Sequence, residues 1–170
     1  MNPLIYLIGY SFGGKSTLGR QLAELLGYNL FDTDRAIEEK YRTTIPILFN
    51  RYGEKVFRTI ERQILFTTCD MHRTVVATGG GTACNDENIR FMLDHGTVIH
   101  LSMTVDDIMQ RYATSHKVRP LLQGMTDEER RKYVEQHLAQ RLPFYQQAHI
   151  TIPAIGASPE LIKDLINFEP

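Results

Sequence analysis

The stretch GYSFGGKST, Gly9 to Thr17, follows directly on the apolar run Leu4-Ile5-Tyr6-Leu7-Ile8. It satisfies the pattern G-x-x-x-x-G-K-[ST], with Gly9, Gly14, Lys15 and Ser16 in the required places. A buried strand feeding a glycine turn that opens a helix aims several backbone N–H groups at one point. Those unpaired donors and the positive end of the helix bind phosphate. The following Thr17-Leu18-Gly19-Arg20-Gln21-Leu22-Ala23-Glu24-Leu25-Leu26 has the spacing of an amphipathic helix, so motif and context agree. A nucleotide loop is predicted, with Phe12, Gly13, Gly14, Lys15, Ser16 and Thr17 against the phosphates. Lys15 is expected to reach the β- and γ-phosphates, and the Ser16 hydroxyl to ligate Mg²⁺.

Apolar strand-like runs then alternate with helical patterns, as in a parallel α/β sheet. Asn29-Leu30-Phe31 ends at Asp32; DRAIEEKYR, IPILFNRYG and EKVFRTIERQILFTTC read as helices; TVVAT runs into Gly79-Gly80-Gly81. DENIRFMLDHG is a helix with Gly96 as its stop, TVIHL a strand, and TVDDIMQRYA a helix with Thr104 as N-cap. Thr114 to Met125, TSHKVRPLLQGM, is polar and broken by Pro120 and Gly124, as a lid between two helices would be. A long helix from about Asp127 to Gln147, a strand at HITIP and a helix at PELIKDLI close the chain. Five strands with helices between them predict a three-layer α/β/α sandwich.

At 170 residues the chain is expected to form one domain with a core that needs no disulfides. A net charge of −1 gives no reason to expect a nucleic-acid or anionic membrane partner. The charged run DEERRKYVEQHLAQR mixes both signs and reads as a solvated helix face. Cys69 and Cys84 lack metal-ligand spacing and fit free thiols. Neither a signal peptide nor a run of membrane-spanning length is recognisable, so a cytoplasmic protein is expected.

In open α/β sheets ligands collect beyond the carboxyl ends of the strands. The loops Gly9–Ser16, Asp32–Asp34 and Gly79–Gly81 should therefore meet. Asp32 and Asp34 suit a metal and a hydroxyl-bearing acceptor, or, more plainly, a helix N-cap. Three glycines let backbone approach a ligand closely. Arg58, with Glu61 one turn on, is either functional or half of a surface ion pair of little value. Arg141, near the end of the long helix, is equally open on its own.

Taken together, GYSFGGKST, FDTDRAIEE, YGEKVFRTIE, VVATGGG, VRPLL and QRLPFY, in this order from Ile5 to about Pro153, resemble the shikimate kinases. The resemblance implies a phosphate-loop fold of the nucleoside monophosphate kinase type, an acceptor-binding region at about 33–62 and a lid at about 112–125. It implies transfer of the γ-phosphoryl of ATP to shikimate, with Mg²⁺. Asp34 would bind the ring hydroxyls beside the attacking one. Arg58 and Arg141 would grip the carboxylate, with Gly79, Gly80 and Gly81 supplying backbone contact. Asp32 would hold Mg²⁺ through water beside Ser16, and Arg119 would close over the phosphates. Lys15, Asp34 and Arg119 would thus carry catalysis, and a monomer is expected.

The family usually has Arg-Thr seven residues before the lid arginine, the arginine stacking on adenine. Here Tyr112-Ala113 stand there and the nearest arginine is Arg111. Either Arg111 meets the base from a shifted register or Tyr112 stacks instead. A gluconate or nucleoside monophosphate kinase is the competing enzyme reading. A regulatory nucleotide-binding domain would predict damage at Lys15, Asp34 or Arg119, and all three are present.

Overall fold

The computed structural model describes residues 4–115 and 124–167. The strand β1 (Leu4–Ile8) is buried along its whole length, and its side chains divide between two layers. Ile5 and Leu7 join one core cluster, while Leu4, Tyr6 and Ile8 join another. A strand covered on both faces reads as a continuous apolar run because neither face meets water. Tyr6 carries the one polar group of that run, and its hydroxyl is paired with Thr68 Oγ1 at 2.8 Å.

Around β1 lies a five-stranded parallel sheet in the order β2-β3-β1-β4-β5. Its other strands are β2 (Asn29–Asp32), β3 (Thr74–Ala77), β4 (Thr97–Ser102) and β5 (Ile150–Pro153). The helices between them are α1 (Lys15–Leu26), α2 (Thr33–Tyr41), α3 (Ile45–Phe66), α4 (Asp86–His95), α5 (Val105–Thr114) and α6 (Asp127–Tyr145), and α7 (Pro159–Asn167) follows β5. From β1 the chain first moves out to β2 and later returns to fill β3, then crosses to β4 on the other side. The carboxyl end of β1 therefore lies where the strand order reverses, the place such sheets use for ligands. The predicted five-stranded, three-layer arrangement is the observed one.

Beyond the sheet, α2 and α3 build a small core of their own from Ile37, Leu48, Phe57, Ile60 and Ile64. Within α3, Gly53 adopts φ 78°, ψ 171° and breaks the helix in two, matching the two separate helical patterns of the sequence. No atom lies within 4 Å of where its Cβ would stand, so backbone conformation rather than space calls for glycine there. Capping boxes at Thr104 with Asp107 and at Thr126 with Glu129 start α5 and α6. Buried residues on α6 are only Val134 and Tyr145, as a solvated charged face requires. Arg131 of α6 reaches Asp106 of α5 at 2.6 Å. Among the described residues no helix is long and apolar enough to cross a membrane. Most of the predicted lid, including Arg119 and the run VRPLL, lies outside the described residues.

Gly96 does end α4, but not by the left-handed turn usual after a helix. Its φ of −172° is ordinary extended backbone. The constraint is space: a Cβ there would stand 2.6 Å from the Leu4 carbonyl oxygen of β1. Gly96→Ala must push β4 from its neighbour and is expected to cost about 1–3 kcal/mol, the usual size of overpacking. Denaturant unfolding measures it, and an unchanged midpoint would show that the strand pair has slack.

Candidate active site

Gly9 leaves β1 under the carbonyl of Leu101, 2.5 Å from where a Cβ would lie. The loop then turns through Phe12 at φ 71° and Gly14 at φ 79°, both left-handed. Gly14 is the N-cap of α1 and provides no capping side chain; no acidic residue occupies the first turn. The helix thus presents its N–H groups and positive end to the loop's hollow with no carboxylate of its own first turn competing there. Lys15 is 7% exposed, and its Nζ donates to the carbonyls of Gly9 and Tyr10, each at 2.8 Å. His100 lies below, stacked on Tyr145 with ring centres 4.9 Å apart. Burial, then the charge of Lys15, draws its pKa down to about 4, so it is neutral at pH 7.

The Asp-Thr-Asp sequence at the end of β2 divides its work. Asp32 is the N-cap of α2, one carboxylate oxygen accepting from the Arg35 N–H at 3.1 Å. Its other oxygen accepts from the Ser16 hydroxyl at 2.5 Å. Capping and contact with the phosphate loop are therefore compatible on one side chain. Thr33 is fully buried; its hydroxyl accepts from the Gly79 N–H at 3.0 Å and donates to the Ala77 carbonyl at 3.4 Å. That strap locks the end of β2 to the end of β3 and turns Asp34 toward the glycine turn. A Cβ on Gly79 would meet Asp34 Oδ1 at 2.7 Å.

The same absent Cβ would meet Glu61 Oε1 at 2.8 Å, one on Gly80 would meet Ser11 Oγ at 2.7 Å, and one on Gly81 Arg58 Nη1 at 2.5 Å. Each glycine thus admits a different neighbour. Glu61 is 2% exposed and accepts from Arg58 Nη1 and from the Thr82 hydroxyl, both at 2.7 Å. The Arg58–Glu61 pair is therefore no surface ornament, contrary to the plainer alternative in the sequence. Arg141 comes from α6 on the other flank and donates to the Gly80 carbonyl at 2.9 Å. Tyr145, one turn on, donates to the same oxygen at 2.5 Å. Asp34, Arg58, Arg141 and the glycines are thereby gathered beside Lys15, Ser16 and Asp32.

On the opposite side of the loop, Gly13, Gly14, Thr17, Leu18, Gln21, Arg111, Ala154 and Ala157 line a cavity of about 310 Å³. Arg111, not Tyr112, lines this space, and its Nη1 donates to the Phe12 carbonyl at 2.6 Å. Tyr112 packs edge-on to Phe12 at 6.0 Å and lies under the Arg130 guanidinium at 4.5 Å. Glu61 was noticed in sequence only as the neighbour of Arg58, and Tyr10 and Tyr145 only as members of GYSFGGKST and QRLPFY. His137 was not singled out at all.

The family model described as shikimate kinase matches residues 13–168. A shikimate kinase of Parabacteroides distasonis is 36% identical over 150 residues, covering 88% of this chain and 87% of that protein. The crystal structure of shikimate kinase from Bacteroides thetaiotaomicron has a TM-score of 0.91 at 34% identity, covering 97% of this chain and 98% of that one. The Acinetobacter baumannii shikimate kinase, solved in complex with shikimate, has a TM-score of 0.83 at 36% identity, covering 97% and 91%.

Removing the Glu61 carboxylate strands the Thr82 hydroxyl and leaves Arg58 with Glu54 at 3.3 Å as its ion partner. Arg58 keeps 29% of its side chain exposed, so the loss falls below that of a fully buried pair. Glu61→Ala should lower stability by about 1–3 kcal/mol. Thr82→Val in that background should recover part of it by deleting the stranded hydroxyl. Urea midpoints of the wild type and the two variants decide; an unshifted Glu61→Ala midpoint would mean that water takes the carboxylate's place.

Proposed function

We propose that this chain, which belongs to the shikimate kinase family, transfers the γ-phosphoryl group of ATP to a hydroxyl of shikimate, releasing ADP and shikimate 3-phosphate. One observation carries the reading: a carboxylate, two arginines and a bare glycine turn stand together at the edge of a phosphate loop. That set matches a small acid bearing hydroxyls. The planar fork of arginine suits a carboxylate, which gives Arg58 and Arg141 that role. Asp34 holds the attacking hydroxyl and takes up its proton as the phosphorus–oxygen bond forms. Backbone of Gly79, Gly80 and Gly81 borders the ring.

On the nucleotide side, the N–H groups from Phe12 to Thr17 and the Lys15 ammonium take the phosphates, with Arg119 of the lid neutralising charge as it develops. Arg111 borders the base. Ser16 and Asp32 offer two hard oxygen donors at one point; among the described residues no group of three His, Cys, Asp or Glu gathers to cage a metal. Such a sparse set suits Mg²⁺, which keeps waters and relies on substrate phosphates for its remaining ligands. When bound it supplies positive charge to the phosphates. Phosphoryl transfer is mainly positioning and electrostatics, so a strong base is not required. We read residues 1–170 as one cytoplasmic kinase domain, and as a monomer because a small, lidded kinase needs no second chain.

A coupled ADP-release assay offering shikimate, gluconate, CMP and AMP side by side tests the reaction. ADP release with shikimate alone is expected; release with gluconate or a nucleotide instead would overturn it. Asp34→Asn should keep ATP binding but reduce turnover by about 100-fold or more, since an amide cannot take the proton. Turnover near wild type would remove Asp34 from its role.

Each arginine lost should weaken shikimate about tenfold or more, the size of one charge-assisted hydrogen bond, with ATP little changed. Arg58→Lys keeps the charge but loses the fork and should remain impaired. Because both act on one group, the double alanine variant should be non-additive. Titrations of both substrates measure this, and additive losses would mean the arginines do not share the carboxylate.

A further inference from the structure

Helix α6 sets Tyr133, His137, Arg141 and Tyr145 at successive intervals of four, so they form one stripe along its side. The stripe faces the phosphate loop and the glycine turn. His137 Nδ1 is hydrogen-bonded to the Tyr10 hydroxyl at 2.9 Å, with the rings edge to face at 5.6 Å. Tyr133 closes the far side of the imidazole at 5.1 Å. The Tyr10 ring is 4% exposed and carries the Arg141 guanidinium 5.4 Å from its centre. Arg141 in turn donates to the Gly80 carbonyl. Tyr10 thus touches both halves of the site, since its own carbonyl also accepts from Lys15.

We propose that His137 is a positioning residue for the acceptor: by holding the Tyr10 hydroxyl it fixes the aromatic face on which Arg141 rests, and so aims Arg141 at the shikimate carboxylate. A tyrosine ring whose hydroxyl is tied at the far end cannot swing about its two side-chain torsions. A guanidinium over that ring is then held in the plane that a carboxylate needs. The role requires an uncharged imidazole, because a second cation would repel Arg141. Burial, and then the charges of Arg141 and Arg58, draw the His137 pKa down to about 4, which leaves it neutral at pH 7. The neutral ring pairs with a hydroxyl as donor or acceptor. His137 itself reaches the acceptor only through Tyr10 and Arg141.

The inference rests on the shikimate kinase reading, and steady-state kinetics of the full chain separate the two. For Tyr10→Phe, which deletes one oxygen, and for His137→Phe, the shikimate KM should rise about 3–10-fold, the equivalent of one neutral hydrogen bond. The kcat and the ATP KM should stay within about twofold, a split that general damage to the fold would not produce. The double variant should match either single one, because both remove the same bond. His137→Asn, which keeps a polar atom near the position of Nδ1, should recover most of the loss. A shikimate KM within about twofold of wild type in Tyr10→Phe, an equal rise for both substrates, or additive losses would overturn the role of His137. A wild-type protein with no turnover on shikimate would overturn the functional reading, and this inference with it.

Discussion

Three consecutive positions without a Cβ let four parts of the molecule meet at the end of β3. The neighbours differ in how far they can yield. At Gly79 the crowding atoms are the tips of Asp34, Glu61 and Thr82, and at Gly81 the guanidinium of Arg58. Those tips could turn away, but only by dismantling the group they form. At Gly80 the Ser11 backbone nitrogen stands 2.9 Å from the missing Cβ, and backbone cannot turn away. Closeness between the phosphate loop and the glycine turn therefore depends on Gly80 above all. Its carbonyl uses the same proximity to gather Arg141 and Tyr145 from α6.

Sheet order then divides the site. Asp34 follows β2 and the glycine turn follows β3, on one side of β1; Ala154 and Arg111 belong to the β4–β5 side. The loop after β1 lies between them, with Lys15 at its centre. In-line transfer needs a donor and an acceptor held on opposite sides of the moving group, and a switch in strand order provides two sides without further invention. Buried threonines fix the strand ends that carry these loops: Thr33 binds β2 to β3, and Thr78 donates to the Leu7 carbonyl of β1 at 3.0 Å.

Much of the fold was readable because its signals are local. A run apolar on both faces marks β1, period-3.6 patterns mark the helices, and Gly53 falls between two of them. Contacts made across the fold were less so. Gly96 looked like a helix stop, yet it is glycine because of Leu4, a strand away. Glu61 looked like half of a surface pair because its spacing to Arg58 is local, whereas its burial comes from Thr82 and Gly79. His137 had no signal at all: its partner Tyr10 lies 127 residues away, and a histidine on a charged helix reads as solvated. Asp32 caps α2 with one carboxylate oxygen and meets the Ser16 hydroxyl with the other, so a cap and a residue that reaches the phosphate loop look alike in the sequence.

The departure at Arg111 follows from helix geometry. One residue along an α-helix is a rotation of about 100°, so arginine at 111 and tyrosine at 112 cannot exchange places by adjusting side chains alone. Tyr112 is turned onto Phe12 and covered by Arg130 of α6, which ties α5 to the helix behind it. Arg111 is turned onto the loop and holds the carbonyl of Phe12, a non-glycine residue at φ 71°. Left-handed backbone at such a residue persists only where its surroundings enforce it. Two consecutive residues of α5 supply that enforcement, one gripping the Phe12 carbonyl and the other packing against its ring. The arginine that lines the cavity is thus also a strut of the phosphate loop, and losing it would disturb the loop before it disturbed any contact to a base.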